Sequence, residues 1–523
     1  MTTLPIVTLR LSLHQPLLLI LIIEMTTPYV LNLLSAMTRF ILEKITKHNY
    51  KIGHNRTGMS EKKINILCSS ADAASMNIKK GLLLLDEWKS AEYVPGSWEG
   101  LSSVVENKSH RIIEINQHHI YQDRIDEKMR AHGFDTDLII VASKHKSSDG
   151  RAVLTAHFTG NVKTADFGGR PFELSTPSPL IMCSILRKMQ DLAAGTGFEV
   201  SMESTHHGPT DISTPMVYAE IGSGEEQWSD PIAATIVAKA IMEAQPQKKP
   251  IAIGFGGGHY ACRQTKLLLE EDITFGHNFP DHLLSDIDEK MIQQAFEKSR
   301  ADFVYFDRKS MPSRERSRLE KIIQKLGYLI LREGDIKEIK SMEWELFLQV
   351  RNMAQKLCPE GRFRINGSFR SAAFAATEAG KQISVCEDRI SEHLLQETFS
   401  ADREAMQGVL ERLAPIYLER ENGTIPGYIL GPGEHMKITT QDIINECIKI
   451  LKEHYEVKYI PEDNLMSIVT EKFSPEMAKG LGIGPGPLYG KLANKETIIV
   501  NGKTIGPEMV HMRKIKEIPL TIR

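Results

Sequence analysis

The chain has 523 residues, 41% of them hydrophobic and 25% charged, which excludes bulk disorder and calls for two or three domains rather than one core. Its formal net charge is -3, so an electrostatic partner such as RNA needs a local basic patch that the molecule as a whole does not supply. The six cysteines (Cys68, Cys183, Cys262, Cys358, Cys386, Cys447) are scattered without a Cys-x-x-Cys pair, which argues against a zinc ribbon or a disulfide scaffold and fits a reducing cytoplasm.

Residues 1–58 contain one apolar run, "LLLILII" from Leu17 to Ile23. It is short against the roughly 20 residues a spanning helix needs. Its flank carries only Arg10 and His14, and no small-residue cleavage site follows. This segment reads as a disordered extension or a mispredicted upstream start, with a membrane anchor as the competing reading. No stable membrane association is expected. Globular patterning begins after Met59.

From Ile64 to about Lys340 strands and helices alternate. "INILCSS", "HRIIEIN" and "DLIIVASKH" are apolar runs that suit buried strands, and "RAVLTAHFTGN" alternates in character. A helix is expected from Ser178 to Ala194, ended by Gly195 and Gly197. Strands "FEVSMES" and "PMVYAEIG", helix "DPIAATIVAKAIMEA" and strand "KPIAIGF" follow. The helix around "DEKMIQQAFEKSR", strand "ADFVYFD" and helix "SRERSRLEKIIQKLG" complete the series. The rhythm implies an α/β domain over residues 59–340, with a mixed or mainly parallel sheet flanked by helices. Residues 341–523 read as a C-terminal α+β region, with helices at "SMEWELFLQVRNMAQKL" and "DIINECIKILKEHY" and a hairpin "TIIVNGKTI" turning at Asn501-Gly502.

Four segments of the α/β region combine histidine with glycine: "HFTGN", "STHHGPT", "GFGGGHY" and "FGHNFP". Each is expected at or just beyond a strand end, where open α/β sheets gather ligands and glycine lets backbone approach closely. A lone histidine is more often structural than a ligand; four such segments shift the balance toward a site. Within "FEVSMESTHHGPTD", strand alternation puts Glu199, Ser201, Glu203 and Thr205 on one face and separates His206 from His207. One histidine could then bind a metal or act as general base while the other fixes the loop. There is no His-Glu-x-x-His helix, so any zinc ligands must come from separate segments.

"GFGGGHY" followed by a helix offers backbone N–H groups to an anion, or simply allows a tight turn; it is neither a P-loop nor a dinucleotide fingerprint. Arg314, Arg318 and Lys321 share a helical face that could hold RNA phosphates, against the equal reading of a solvated helix laced with Glu315 and Glu320. "GPGPLYGKL" near the end suits a turn-rich structural loop better than a ligand clasp. No serine sits in a nucleophile elbow and no cysteine has the neighbours of a nucleophile, which disfavours covalent catalysis.

Together, "TAHFTGN", "ESTHHGPTD", "IAIGFGGGHYACR" and "FGHNFP" resemble, in order and spacing, the archaeal and plant type of D-aminoacyl-tRNA deacylase, also called D-tyrosyl-tRNA deacylase. The likeness covers about Ile64 to Lys340, and "GIGPGPLYGKL" looks like the tail of longer members. The first 58 residues have no counterpart, and residues 362–413 are not matched. The resemblance implies hydrolysis of the ester joining a D-amino acid to the terminal ribose of tRNA, a Zn2+ requirement, and a core similar to peptidyl-tRNA hydrolase. The resemblance does not assign the zinc ligands; from the residues themselves, His206, His207, Glu203 and Thr205 are the catalytic candidates, and His157, His206, His259 and His277 the metal candidates. Gly256, Gly257, Gly258 and Asn161 become candidate substrate or oxyanion contacts, and Arg314, Arg318 and Lys321 candidate tRNA contacts. A cytoplasmic monomer acting on charged tRNA is expected. The alternatives are a zinc-dependent hydrolase of a small ester or amide, and a non-catalytic tRNA-binding protein.

Overall fold

The computed structural model describes residues 63–93, 98–433, 436–460 and 464–520. The chain divides into Met1–Glu61 and Lys62–Arg523, and the first unit, with the readings made of it above, lies outside the described residues. Among the described residues no helix is long and apolar enough to cross a membrane.

The described residues from Ile64 to Leu331 contain fourteen strands: β1 (Ile64–Ser69), β2 (Lys89–Ser90), β3 (Leu101–Glu106), β4 (His110–Ile115), β5 (Ile139–Lys144), β6 (Val153–His157), β7 (Gly160–Asn161), β8 (Glu173–Leu174), β9 (Glu199–Met202), β10 (Met216–Gly222), β11 (Ile251–Phe255), β12 (Thr274–Phe279), β13 (Phe303–Phe306) and β14 (Ile330–Leu331). They form two principal sheets rather than the single one expected. The larger runs β2-β3-β4-β1-β5-β10-β6-β9, and the smaller runs β12-β11-β13-β14. The smaller sheet is parallel throughout. The larger is parallel through β4, β1, β5 and β10, then reverses at β6, which pairs antiparallel with β10 and parallel with β9.

Continuous apolar strands such as "IIVA" are buried on both faces because helices cover them, as parallel sheets require. The helix Ala73–Leu85 starts where Asp72 accepts the Ser75 N–H, and Pro231–Met242 starts on Asp230 in the same way. Gly327, in the left-handed region at φ 74°, ends the helix Ser313–Leu326.

The core does not stop at residue 340. Phe347, Val350, Phe363 and Leu430 belong to the same buried cluster as Ile140, Phe275 and Phe303. A second core gathers Leu394, Leu410 and Ile429 around the helix Met436–His454. The C-terminal region holds an antiparallel four-stranded sheet and a three-stranded sheet, and the hairpin turns where expected, with Asn501 and Gly502 both at positive φ.

Candidate active site

The two sheets are joined along the segment after β9. The Ser204 N–H donates to the His259 carbonyl at 2.9 Å and the Thr205 N–H to the Asn278 carbonyl at 2.8 Å. On the other side the Gly160 N–H donates to the His207 carbonyl at 2.8 Å. "ESTHHGPTD" is therefore the seam between the sheets, and it draws residues from β5, β6, β10 and the loop after β11 to one place.

Strand alternation does not separate the two adjacent histidines. His207 takes φ 42°, a left-handed turn uncommon for a residue with a side chain, and the chain doubles back there. Both rings consequently meet His157. Ring centroids lie 4.3 Å apart for His157 and His206, 4.4 Å for His206 and His207, and 4.9 Å for His157 and His207.

In each ring Nδ1 lies beside a backbone carbonyl: His157 with Phe158 at 3.2 Å, His206 with Ser204 at 2.8 Å, and His207 with Gly208 at 2.6 Å. A carbonyl can only accept, so each Nδ1 carries the proton and each Nε2 keeps a lone pair. This is the outer hydrogen bond that orients metal-binding imidazoles. The three rings offer ligand atoms within 4.8 Å of one another. Among the buried nitrogens, His157 Nε2 has no hydrogen-bond partner.

A second group with ligand spacing adjoins it, formed by His145, Glu203 and His259. Glu203 is fully buried, its Oε1 3.0 Å from His145 Nδ1 and its Oε2 2.9 Å from His259 Nε2. Although those distances are short, neither Glu203 oxygen has an aligned hydrogen-bond donor. Atoms that converge without aligning suit a shared cation better than pairwise hydrogen bonds. Glu220 on β10 stands behind, 3.5 Å from His157 Nε2, and the buried Tyr218 hydroxyl nearby is also unpartnered.

Electrostatics divide the group. Burial alone would push the Glu203 carboxyl up, but His145 and His259 hold it well below the usual range, so it is ionised. Burial, then the neighbouring His157, pushes His206 down; burial, then His206, does the same to His207. Both rings are thus neutral, which a cation ligand must be. His145 and His157 go the other way: burial lowers them, and Glu203 and Glu220 respectively raise them by more.

The structure gathers His157, His206, His207, His259 and Glu203, and sets His277 apart. The expectation placed the His277 segment at or just beyond a strand end, whereas His277 lies inside β12, fully buried. The Thr205 hydroxyl accepts the Asn278 N–H at 3.2 Å and donates to His277 Nδ1 at 3.0 Å, while His277 Nε2 donates to the Ser175 carbonyl at 3.1 Å. Both ring nitrogens are occupied, so His277 is a structural residue and Thr205 its partner.

The glycine loop is also narrower in function than expected. The Gly256 N–H is taken by the Phe279 carbonyl at 2.8 Å and the Gly257 N–H by Ser310 Oγ at 2.6 Å, leaving only Gly258, exposed beside His259, with an uncommitted N–H. Asn161 gives its amide to the Gly168 and Arg170 carbonyls and braces that loop. Arg318 spends its guanidinium on Glu315 and the Leu284 and Ile287 carbonyls, while Arg314 and Lys321 are exposed.

His145 and Glu220 were missed. His145 has no glycine beside it in "SKHKSS", but a carboxylate inside the otherwise apolar strand "PMVYAEIG" was a readable signal.

A family model described as D-aminoacyl-tRNA deacylase matches residues 132–331. A D-aminoacyl-tRNA deacylase of Methanococcoides burtonii is 42% identical over 474 residues, covering 88% of this chain and 97% of the relative. One from Methanosarcina acetivorans is 49% identical over 289 residues, 54% of this chain and 97% of the relative. The crystal structure of a conserved protein of unknown function superposes with a TM-score of 0.50 at 35% identity, covering 53% of this chain and 98% of that one. The shorter proteins are thus matched nearly end to end by about half of this chain. Similarity at this level over almost the whole of a relative places the chain in the D-aminoacyl-tRNA deacylase family.

Proposed function

We propose that the protein hydrolyses the ester between a D-amino acid and the terminal ribose of tRNA, releasing both, and that it does so with zinc held by the histidine cluster. Family membership supports the reaction. The single observation that supports the metal is the convergence of three imidazoles whose Nδ1 atoms are committed to backbone carbonyls. The donor set, neutral nitrogen with buried carboxylate, is the chemistry zinc takes.

His157, His206 and His207 would hold the ion, with the Glu203 carboxylate adjoining. When bound there, zinc supplies a positive charge that acidifies water and polarises a carbonyl oxygen. The chain's own groups do the rest. His259, 44% exposed and 2.9 Å from the Glu203 carboxylate, moves the proton, and the Glu203 charge stabilises the ring as it takes that proton up. The free Gly258 N–H beside it donates to the oxygen that gains charge as the ester carbonyl is attacked. Action in the cytoplasm, as a monomer, belongs to the same proposal.

Incubation of the purified protein with D-Tyr-tRNA and L-Tyr-tRNA tests the reading. D-selective release of tyrosine is expected. Absence of selective release, with an intact fold and added zinc, sinks it; equal turnover of a small ester without RNA points instead to a general metallohydrolase.

A further inference from the structure

Two adjoining clefts, of about 730 and 320 Å³, open between the end of the deacylase portion and the C-terminal region. Arg308, Arg332 and Arg362 line both; Arg351 lines the first, and Arg263, Lys309 and Arg364 the second. Seven cations face four carboxylates there, Glu320, Glu333, Asp335 and Glu360, in a chain whose formal net charge is -3. Six of the seven are arginine, the residue whose planar fork matches phosphate oxygens.

Some of these cations are paired: Arg308 with Glu320 at 2.8 Å, Arg263 with Glu333 at 2.7 Å, Arg364 with Glu338 at 3.7 Å and Arg332 with Glu421 at 3.7 Å. Among the described residues Lys309, Arg351 and Arg362 have no carboxylate partner. Arg351 is half-buried, and among the described residues its only side-chain hydrogen bond is to Gln355 Oε1 at 3.1 Å. Burial lowers its pKa, and only the nearby Asp335 opposes that. An unpaired, partly desolvated guanidinium is costly, and an incoming anion offsets that cost.

The clefts are also strapped to the candidate active site. Lys309 and Arg308 lie in the turn whose Ser310 Oγ accepts the Gly257 N–H at 2.6 Å, and Asp307 N–H donates to the Phe255 carbonyl at 2.9 Å. Arg263 stands in the first turn of the helix Cys262–Glu270, which follows His259. Cations therefore begin in the turn bonded to the glycine loop and continue onto the C-terminal region, where Arg351, Arg362 and Arg364 lie beyond the residues 132–331 that the family model matches. The two clefts share Arg308, Arg332 and Arg362 and so form one trough, with more cations than a single small anion needs.

We propose that the trough binds the phosphate backbone of tRNA, so that the C-terminal region extends the RNA footprint away from the deacylase site. The inference rests on the function proposed above for its substrate.

Uncharged tRNA binding to the full-length protein, measured by fluorescence anisotropy between 50 and 200 mM KCl, tests it with Lys309→Gln and Arg362→Gln, singly and together. Both side chains are exposed and have no carboxylate partner among the described residues, so folding is not at issue; Arg351→Gln is the third variant, checked by its melting curve. The double variant is expected to bind tRNA about tenfold more weakly and to reduce the slope of log K against log salt by about 1 to 2. KM for D-Tyr-tRNA should rise with kcat unchanged. Wild-type affinity, slope and KM in the double variant would overturn the inference, as would tight binding of ATP in the trough with tRNA binding unaffected. If the wild type fails to deacylate D-Tyr-tRNA yet these residues still govern tRNA binding, the proposed reaction fails and the trough stands. If deacylation is D-selective and the variants match wild type, the reverse holds.

Discussion

Glu203 and His259 meet at 2.9 Å across the junction of two sheets, one fully buried at the end of β9 and the other exposed after β11. Their pairing puts a buried anion directly behind an accessible imidazole, and replacing Glu203 separates its charge from its shape. Glu203→Gln is expected to keep the fold and to lower kcat for D-Tyr-tRNA by about a hundredfold or more, since even outer partners of metal ligands cost 10- to 100-fold. Circular dichroism and single-turnover kinetics check this. Activity within about threefold of wild type removes Glu203 from the mechanism.

Metal removal is the next discriminator. Dialysis against a chelator should abolish deacylation and lower the melting temperature, and zinc should restore both. His157→Ala should lose bound zinc, read by elemental analysis, because its Nε2 makes no hydrogen bond among the described residues and points into the cluster of ligand atoms. His277→Gln should retain the full zinc content, because both ring nitrogens of His277 are already bonded within the fold.

The same His277 makes a prediction about acid stability. Burial pushes its pKa down to about 3, against about 6.5 for an exposed imidazole. As pH falls through 6.5 the unfolded chain takes up a proton that the folded chain refuses until about 3. Stability from this group is therefore complete above pH 6.5 and is lost on acidification, at a slope approaching about 1.4 kcal/mol per pH unit. Urea unfolding at pH 7, 6 and 5 should show a shallower acid loss for His277→Gln than for wild type; identical slopes would remove His277 as the source.

Gly258 and Gly256 should respond oppositely to the same change. A Cβ on Gly258 meets nothing within 4 Å, so Gly258→Ala should be tolerated, while Gly258→Pro removes the free N–H and should lower kcat by about a hundredfold. At Gly256 the backbone is held at φ 93° and a Cβ would stand 2.6 Å from Ser310 Oγ and 2.8 Å from Met311 Cγ. Gly256→Ala should therefore destabilise the loop and show as a lower melting temperature together with lost activity.

Local pattern determined a great deal of this protein by itself. The apolar runs named eight of the fourteen strands between Ile64 and Leu331, the helices Pro179–Ala193 and Pro231–Met242 fell where period and proline placed them, and Asn501-Gly502 marked its hairpin. Four histidine-glycine segments also pointed to the site. Those signals are short-range, carried by side-chain period and turn chemistry within about ten residues. Tertiary structure decided which of the marked residues meet. The division into two sheets put His277 inside a strand with both nitrogens bonded, although its segment resembled the other three. A single left-handed residue at His207 reversed the alternation that would have parted it from His206. His145 and Glu220 entered the site only because β5 and β10 lie side by side in register, a pairing between segments about eighty residues apart that no local pattern encodes. "ESTHHGPTD" was legible as chemistry in the sequence; that it is the seam on which two sheets close around that chemistry follows from long-range pairing alone.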